Sequence, residues 1–256
     1  MAEWTELSDE LDRWSDAGRT ATFWWRDDDA GPDDGKLPVL LDQRRGLGVP
    51  LALAVVPHWL EDAACAALDD DGCHALQHGA HHTNRASADR RKTELALEGL
   101  EAGLTGVLAD GLCVLETRLA KRMLPVMVPP WNRADDVVIR LLADLGFEGL
   151  SMLGPRDDAV LHDLTVANVH VDIIDWKQGG RFASHERCLA ATLGHLRARR
   201  AGTVDSEEPT GLMTHHRVQD VDCWRFVDSF VSLVRDHPAA RWLDASQIFF
   251  RSGPTS

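Results

Sequence analysis

Ala21-Thr22-Phe23-Trp24-Trp25-Arg26-Asp27-Asp28-Asp29-Ala30 is an apolar run that ends in three consecutive carboxylates. Residues 21–26 have the aromatic composition of a β-strand. Outward from it, strand and helix patterns alternate. Residues 37–45 place apolar side chains at helical spacing and meet a stop at Gly46. Residues 50–56 form a short apolar run, suited to a strand buried on both faces. Strand-like runs follow at 74–78, 125–128, 149–153, 166–174, 211–214 and 242–244, and helical patterns at 61–68, 88–104, 107–123, 135–145, 185–200 and 222–235. A β-then-α order predicts an α/β fold of parallel strands joined by helices. About seven strands favour a closed or nearly closed barrel over an open sheet, although periodicity alone does not separate the two.

The 256 residues allow one or two domains. No repeat and no long linker divides them, so a single domain over 1–256 is expected, with its core at about 20–250 and a surface loop at 201–209. A hydrophobic content of 44% and a charged content of 27% belong to a globular chain. The net charge of −14 argues against nucleic acid, whose phosphates require a basic surface. The N-terminus shows no basic region followed by an apolar run, and no stretch has the ~20 apolar residues of a membrane span. The five cysteines, Cys65, Cys73, Cys113, Cys188 and Cys223, are odd in number and contain no CxxC pair. Reduced thiols in a cytoplasmic protein are therefore expected. The composition also holds 9 Trp, 12 His and no Tyr.

In α/β folds of this kind, chemistry gathers at the C-terminal ends of the strands, and five polar clusters fall there. Arg26-Asp27-Asp28-Asp29 crowds carboxylates that repel one another unless a cation or proton lies among them; its plain reading is an acidic turn. His78-Gly79-Ala80-His81-His82-Thr83-Asn84 spaces two imidazoles four residues apart. Two His and a carboxylate make a common ligand set for a catalytic divalent metal; the plain reading is a polar loop. Val128-Pro129-Pro130-Trp131-Asn132-Arg133 reads either as a cleft wall carrying polar groups or as a rigid loop with a packed Trp. Val171-Asp172-Ile173-Ile174-Asp175-Trp176 ends a strand in a carboxylate and a Trp, which helix capping and core packing also explain. Gly211-Leu212-Met213-Thr214-His215-His216 brings a His out of a buried strand, as a general acid or base or as a structural His.

The order of these clusters resembles the NodB-homology polysaccharide deacetylases, carbohydrate esterases with a distorted (β/α)7 barrel and a divalent metal, often zinc. The resemblance runs from about Thr20 to His216. It implies Asp28 as the base and Asp29, His78 and His82 as metal ligands, with Asp27 and Asp28 the alternative carboxylate pair. The family's Arg before the two prolines, which pairs with the catalytic Asp, is replaced by Val128; Arg26 and Arg133 are the candidates to stand in. Gly79 stands at the Ser/Thr position of the His motif, and Met213 replaces the Leu of Leu-x-His, with His215 the general acid. The backbone N–H near Trp131 would be the oxyanion donor. Arg26, Trp131, Asn132, Asp175 and Trp176 are expected against the substrate, and Trp24 and Trp25 either wall a sugar site or pack in the core. The implied activity is metal-dependent removal of an acetyl group from an N- or O-acetylated carbohydrate, small or oligomeric. The acidic net charge favours a neutral sugar over a polyanion. The alternatives are a cytoplasmic amidohydrolase acting on a small C–N bond substrate, and a catalytically lapsed carbohydrate-binding domain. The missing Arg favours these two; the intact Asp/His/His set favours an enzyme.

Overall fold

Strand β1 (Ala21–Ala30) is an interior strand of a curled sheet. The computed structural model describes residues 2–68 and 72–250. After β1 come β2 (Leu51–Val55), β3 (Cys73–His78), β4 (Met123–Val128), β5 (Gly149–Leu150), β6 (Val160–Leu161), β7 (Leu164–Val166), β8 (Val171–Asp172), β9 (Ile174–Asp175), β10 (Arg181–Phe182), β11 (Thr210–Thr214) and β12 (Ala240–Trp242). From β1 the sheet runs through β2, β3, β4, β5 and β7, each parallel to its neighbour. On the other side β1 pairs in parallel with β11 and β12, and β11 with β8. β6 folds back antiparallel on β7, and β9 and β10 form a small antiparallel pair.

One extended segment ties the two edges of this sheet together. Its first part, β7, pairs with β5; Val169 bridges Leu153; and β8 pairs with β11. The sheet thus wraps into a distorted barrel of seven staves, with β7 and β8 sharing one stave. Helices α2 (Leu37–Leu47), α3 (Asp62–Ala67), α4 (Leu104–Leu119), α5 (Asp136–Leu142), α6 (His185–Ala201) and α7 (Val221–Asp236) connect the parallel strands, as the alternating pattern requires. None of the described helices is long and apolar enough to cross a membrane, and no disulfide forms among the described residues.

Side chains alternate across the sheet. Phe23, Trp25, Leu53, Val55 and Met127 join the large core shared with the helices, including Leu40, Leu108, Phe226 and Phe230. Trp24, Ala52, Ala54, Leu76, Val126, Val128 and Met213 form a second core inside the barrel, which Ile248 and Phe249 of α8 (Ala245–Phe249) adjoin. Small residues on β2 leave interior room for the large side chains of β1.

Two departures from the sequence reading are large. No element was expected before residue 20, yet α1 (Ala2–Asp16) buries Leu7, Leu11 and Trp14, spaced at i, i+4 and i+7. It sits against α6, where Arg200 donates to Glu10 at 2.7 and 3.1 Å. The helix expected over 88–104 does not form; only a 3-10 turn at Leu97–Gly99 is helical before α4 begins. Thr93 Oγ1 donates to the Arg133 carbonyl at 2.5 Å and Leu95 bridges Ala134. These long-range bonds override the helical spacing.

Candidate active site

The alternation along β1 divides the acidic triplet. Asp27 continues the outward face of Trp25, and Asp28 continues the inward face of Trp24 and Arg26. Asp27 is fully buried on the helix side, where it accepts from the Thr214 hydroxyl at 2.6 Å and the His216 N–H at 2.9 Å and pairs with the His216 ring. Burial lowers the basicity of His216, but the Asp27 charge and hydrogen bond outweigh it and raise His216 above its ordinary value. Asp28 lies inside the barrel, 1% exposed, and receives Arg26 in a fork of 2.7 and 2.9 Å. Burial pushes the Asp28 carboxyl up, yet Arg26, with His78 and His215, holds it below the usual carboxylate range. Arg26 is itself fully buried and also donates to Ser151 Oγ at 2.7 Å and Asn132 Oδ1 at 2.6 Å. Arg26, from the strand that carries Asp28, therefore makes the pairing that Val128 lacks the group to make.

Asp29 ends the strand alternation with a left-handed φ of 71° and turns its carboxylate to the mouth of the barrel. His78, the last residue of β3, and His82, in the loop after it, each place Nε2 3.3 Å from Asp29 Oδ1. His78 Nδ1 donates to the Val128 carbonyl at 2.8 Å. A carbonyl only accepts, so the neutral ring keeps its Nε2 lone pair towards Asp29. Asp29 Oδ1 is buried without a hydrogen-bond partner. Two imidazole nitrogens and a carboxylate oxygen that share a focus repel unless something positive stands there, and a divalent cation satisfies all three. A proton on His78 does the same in its absence. Burial lowers His78, but the Asp29 and Asp28 carboxylates beside it raise it above its ordinary value. His82 is lowered by burial and by the neighbouring His78, and Asp29 is depressed by His78, His215 and His82 against the upward push of burial. These residues fit a metal.

A cavity of about 290 Å³ opens on this group, lined by Asp28, Asp29, His78, His82, Trp131, Asn132 and, across from them, Asp172, Trp176 and His215. His215 follows β11 and sets Nε2 4.0 Å from Asp28 Oδ2. Trp176 packs edge-on against His215 at 4.8 Å and donates its indole N–H to Asp172 Oδ2 at 3.0 Å. Burial pushes the Asp172 carboxyl up. Trp131 packs on His82 at 4.5 Å, and Trp176 is 50% exposed at the rim. Trp131 and Asn132 both take left-handed backbone, at φ 58° and 54°.

The expected site residues thus divide. Asp28, Asp29, His78, His82, Trp131, Asn132, Trp176 and His215 meet at the cavity. Arg26 is behind Asp28 rather than at the cavity surface, and Asp175 is outside it: the Asp175 carboxylate caps the turn at Trp176–Gln178 and pairs with Arg187 at 3.2 Å. Asp172, three residues earlier on β8, takes the place at the cavity. Trp24 and Trp25 are core residues, 1% exposed, whose indoles donate to the Asn168 carbonyl and to Thr214 Oγ1, each at 2.9 Å. Arg133 also lines the cavity, and it donates to the Lys92 carbonyl at 3.3 Å rather than to Asp28.

His170, His195 and Glu208 also converge within 4.8 Å. Their chemistry differs. The two rings stack nearly parallel, centroids 3.4 Å apart, so an ion in the plane of one lies well out of the plane of the other. His170 Nδ1 accepts the Gly211 N–H at 3.0 Å, which leaves the proton of the neutral ring on the Nε2 that faces Glu208 at 3.4 Å. That donor set builds a buried polar cluster, not a cation site.

No protein-family model and no curated protein matches the sequence. Solved structures match the fold. A family 4 acetyl xylan esterase from Clostridium thermocellum, in complex with a cobalt ion, is 14% identical with a TM-score of 0.57, over 89% of this chain and 90% of that one. Peptidoglycan deacetylase PdaC from Bacillus subtilis is 13% identical with a TM-score of 0.55, over 90% of each chain. A family 4 pseudoenzyme, as a mutant with restored enzymatic activity, is 13% identical with a TM-score of 0.56, over 90% of this chain and 68% of that one. The distorted (β/α)7 barrel expected from the resemblance is the fold of this chain, and the pseudoenzyme shows that the fold by itself does not decide activity.

Proposed function

We propose that the chain is a hydrolase dependent on a divalent metal, with zinc the ion its ligand types favour, that removes an acetyl group from an N- or O-acetylated carbohydrate. The observation that carries this reading is the convergence of Asp29, His78 and His82 at the cavity that also holds Asp28 and His215. A cation held by those three residues supplies Lewis acidity, polarising the acyl carbonyl and acidifying water.

The protein's own groups supply the rest. Asp28, kept ionised by Arg26, takes a proton from the attacking water. The water oxygen bonds to the acyl carbon, the carbonyl oxygen gains negative charge, and the Trp131 N–H is the expected donor to it. As the C–N or C–O bond breaks, His215, opposite Asp28, gives the leaving amine or alkoxide its proton. Trp131, Trp176 and the half-exposed Leu153 offer the flat apolar surface on which a sugar ring stacks. The Arg26–Asp28 fork supplies the pairing whose absence at Val128 favours the amidohydrolase and the lapsed domain. Five cysteines without a disulfide favour a reducing compartment, and we assign the reaction to the cytoplasm.

The test is acetate release from acetylated mono- and oligosaccharides by zinc- or cobalt-loaded protein. Chelation should abolish it, and Asp28→Asn and His215→Ala should each lower it by about 10²–10⁴-fold with the metal still bound. Bound metal with no acetate release transfers the reading to the small C–N bond amidohydrolase. Protein that takes up no metal transfers it to the carbohydrate-binding domain.

A further inference from the structure

The loop that carries His82 is held by a residue no motif marks. Glu94 is fully buried, and the described structure gives its carboxylate no Lys or Arg partner. It accepts three backbone N–H groups instead: His81 on Oε1 at 2.9 Å, and Ala80 and His82 on Oε2 at 3.1 and 3.0 Å. Three convergent amides form a cradle for an anion, and here the anion belongs to the chain itself.

Gly79 shows why the arrangement is specific. A Cβ on Gly79 would lie 2.1 Å from Glu94 Oε2 and 2.6 Å from Pro130 Cγ, and its φ of +58° disfavours any side chain. The Glu94 carboxylate occupies the space that a Ser or Thr at this position would fill. Two carbonyls of the loop are also paired. Gln77 Nε2 donates to the Gly79 carbonyl at 2.8 Å, and the His58 N–H donates to the Ala80 carbonyl at 3.1 Å. Glu94 in turn lies between Thr93, bonded to the Arg133 carbonyl, and Leu95, which bridges Ala134. Thus the loop bearing the metal ligand and the loop bearing Trp131 share one anchor.

We infer that Glu94 is a positioning residue for the metal centre: its carboxylate holds residues 80–82 in the conformation, including the left-handed His82 at φ 55°, that aims His82 at Asp29. This rests on the metal-centre reading above. Gln in its place keeps the shape but turns one NH₂ against a backbone N–H, so at least one bond is lost and one repulsion gained. Ala loses all three bonds. Removing outer partners of metal ligands weakens metal binding by about 10–100-fold.

Cobalt titration of metal-free protein, followed by the visible absorption of the bound ion, tests the inference directly. The expected result is affinity about 10-fold weaker in Glu94→Gln and about 100-fold weaker in Glu94→Ala. Gly79→Ser, which drives a side chain into the carboxylate, should weaken it as well. Affinities equal to wild type in both Glu94 variants overturn the inference while leaving the metal centre standing. Wild-type protein that binds no cobalt overturns the metal centre and this inference with it. Amide hydrogen exchange of the unaltered protein covers the case in which the variants do not fold. Slow exchange at Ala80, His81 and His82 is expected, and free exchange at all three overturns the anchor.

Discussion

Arg26→Met exchanges the guanidinium behind Asp28 for an apolar chain inside the barrel. The change breaks the fork of 2.7 and 2.9 Å to Asp28 and strands Ser151 Oγ and Asn132 Oδ1, which accept from the same group at 2.7 and 2.6 Å. Asp28 is 1% exposed, so water does not replace what is lost. Removing one partner of a buried pair costs about 3–5 kcal/mol, a large part of the roughly 5–15 kcal/mol that stabilises a typical protein. The pH dependence changes in a definite direction. In the native protein the Asp28 carboxyl is held below its unfolded value of 3.8, so its contribution is present above that pH and is lost as pH falls through the folded value. Without Arg26 the upward push of burial loses its main opponent and the folded value climbs. Urea unfolding of chelator-treated protein should show a loss of about 3–5 kcal/mol near neutrality that shrinks as the pH is lowered. The acid limb of the acetate-release profile should move to higher pH. Arg26→Lys, which keeps the charge but not the fork, should fall between. Wild-type stability in Arg26→Met together with an unmoved acid limb would refute the claim that Arg26 keeps Asp28 ionised.

His216 gives the opposite limb. Its folded value is raised above 6.5, so the stability it adds is full below 6.5 and is lost as pH rises through the folded value. The thermal midpoint should decline on that side of neutrality in wild type and stay level in His216→Gln; parallel declines would count against the Asp27–His216 pair. Trp24→Ala should cost about 3–5 kcal/mol in urea unfolding, whereas Trp176→Ala, at a 50% exposed site, should raise KM without shifting the unfolding midpoint. The reverse pattern would mean that core and cavity have been confused. His195→Ala should leave metal stoichiometry unchanged, since its stacked cluster is not a cation site; a lost equivalent of metal would contradict that.

The large features of the chain are written at short range and are legible there. Alternating apolar patterns mark the staves, and the polar clusters fall at strand ends because a buried strand exposes side chains only where it leaves the core. The acidic triplet carries a further signal in its alternation. Counting by two from Trp24 places Asp28 inward and Asp27 outward, and the same count puts Arg26 on the face of Asp28. That alternation is the signal that separates the carboxylate at the cavity from its neighbour and finds the cation beside it. Asp172 and Asp175 were harder to tell apart, because the chain turns between β8 and β9 and a residue's distance from Trp176 in sequence does not give its distance from the cavity. Glu94 left no signal. It lies in a stretch with helical spacing, and only the folded chain brings its carboxylate to the amides of 80–82. The cysteine and tryptophan counts showed the same limit: composition reports what the chain holds, while burial decides that Trp24 and Trp25 pack and that Trp131 and Trp176 line the cavity.

On the proposed reading, Asp29, His78 and His82 hold a divalent metal beside Asp28 and His215. Diffraction from a zinc-grown crystal, recorded at the zinc absorption edge, tests it most directly. One anomalous peak per chain is expected, within bonding distance of Asp29 Oδ1 and the Nε2 atoms of His78 and His82. A map with no peak there, or with its peak between His170, His195 and Glu208, would contradict it.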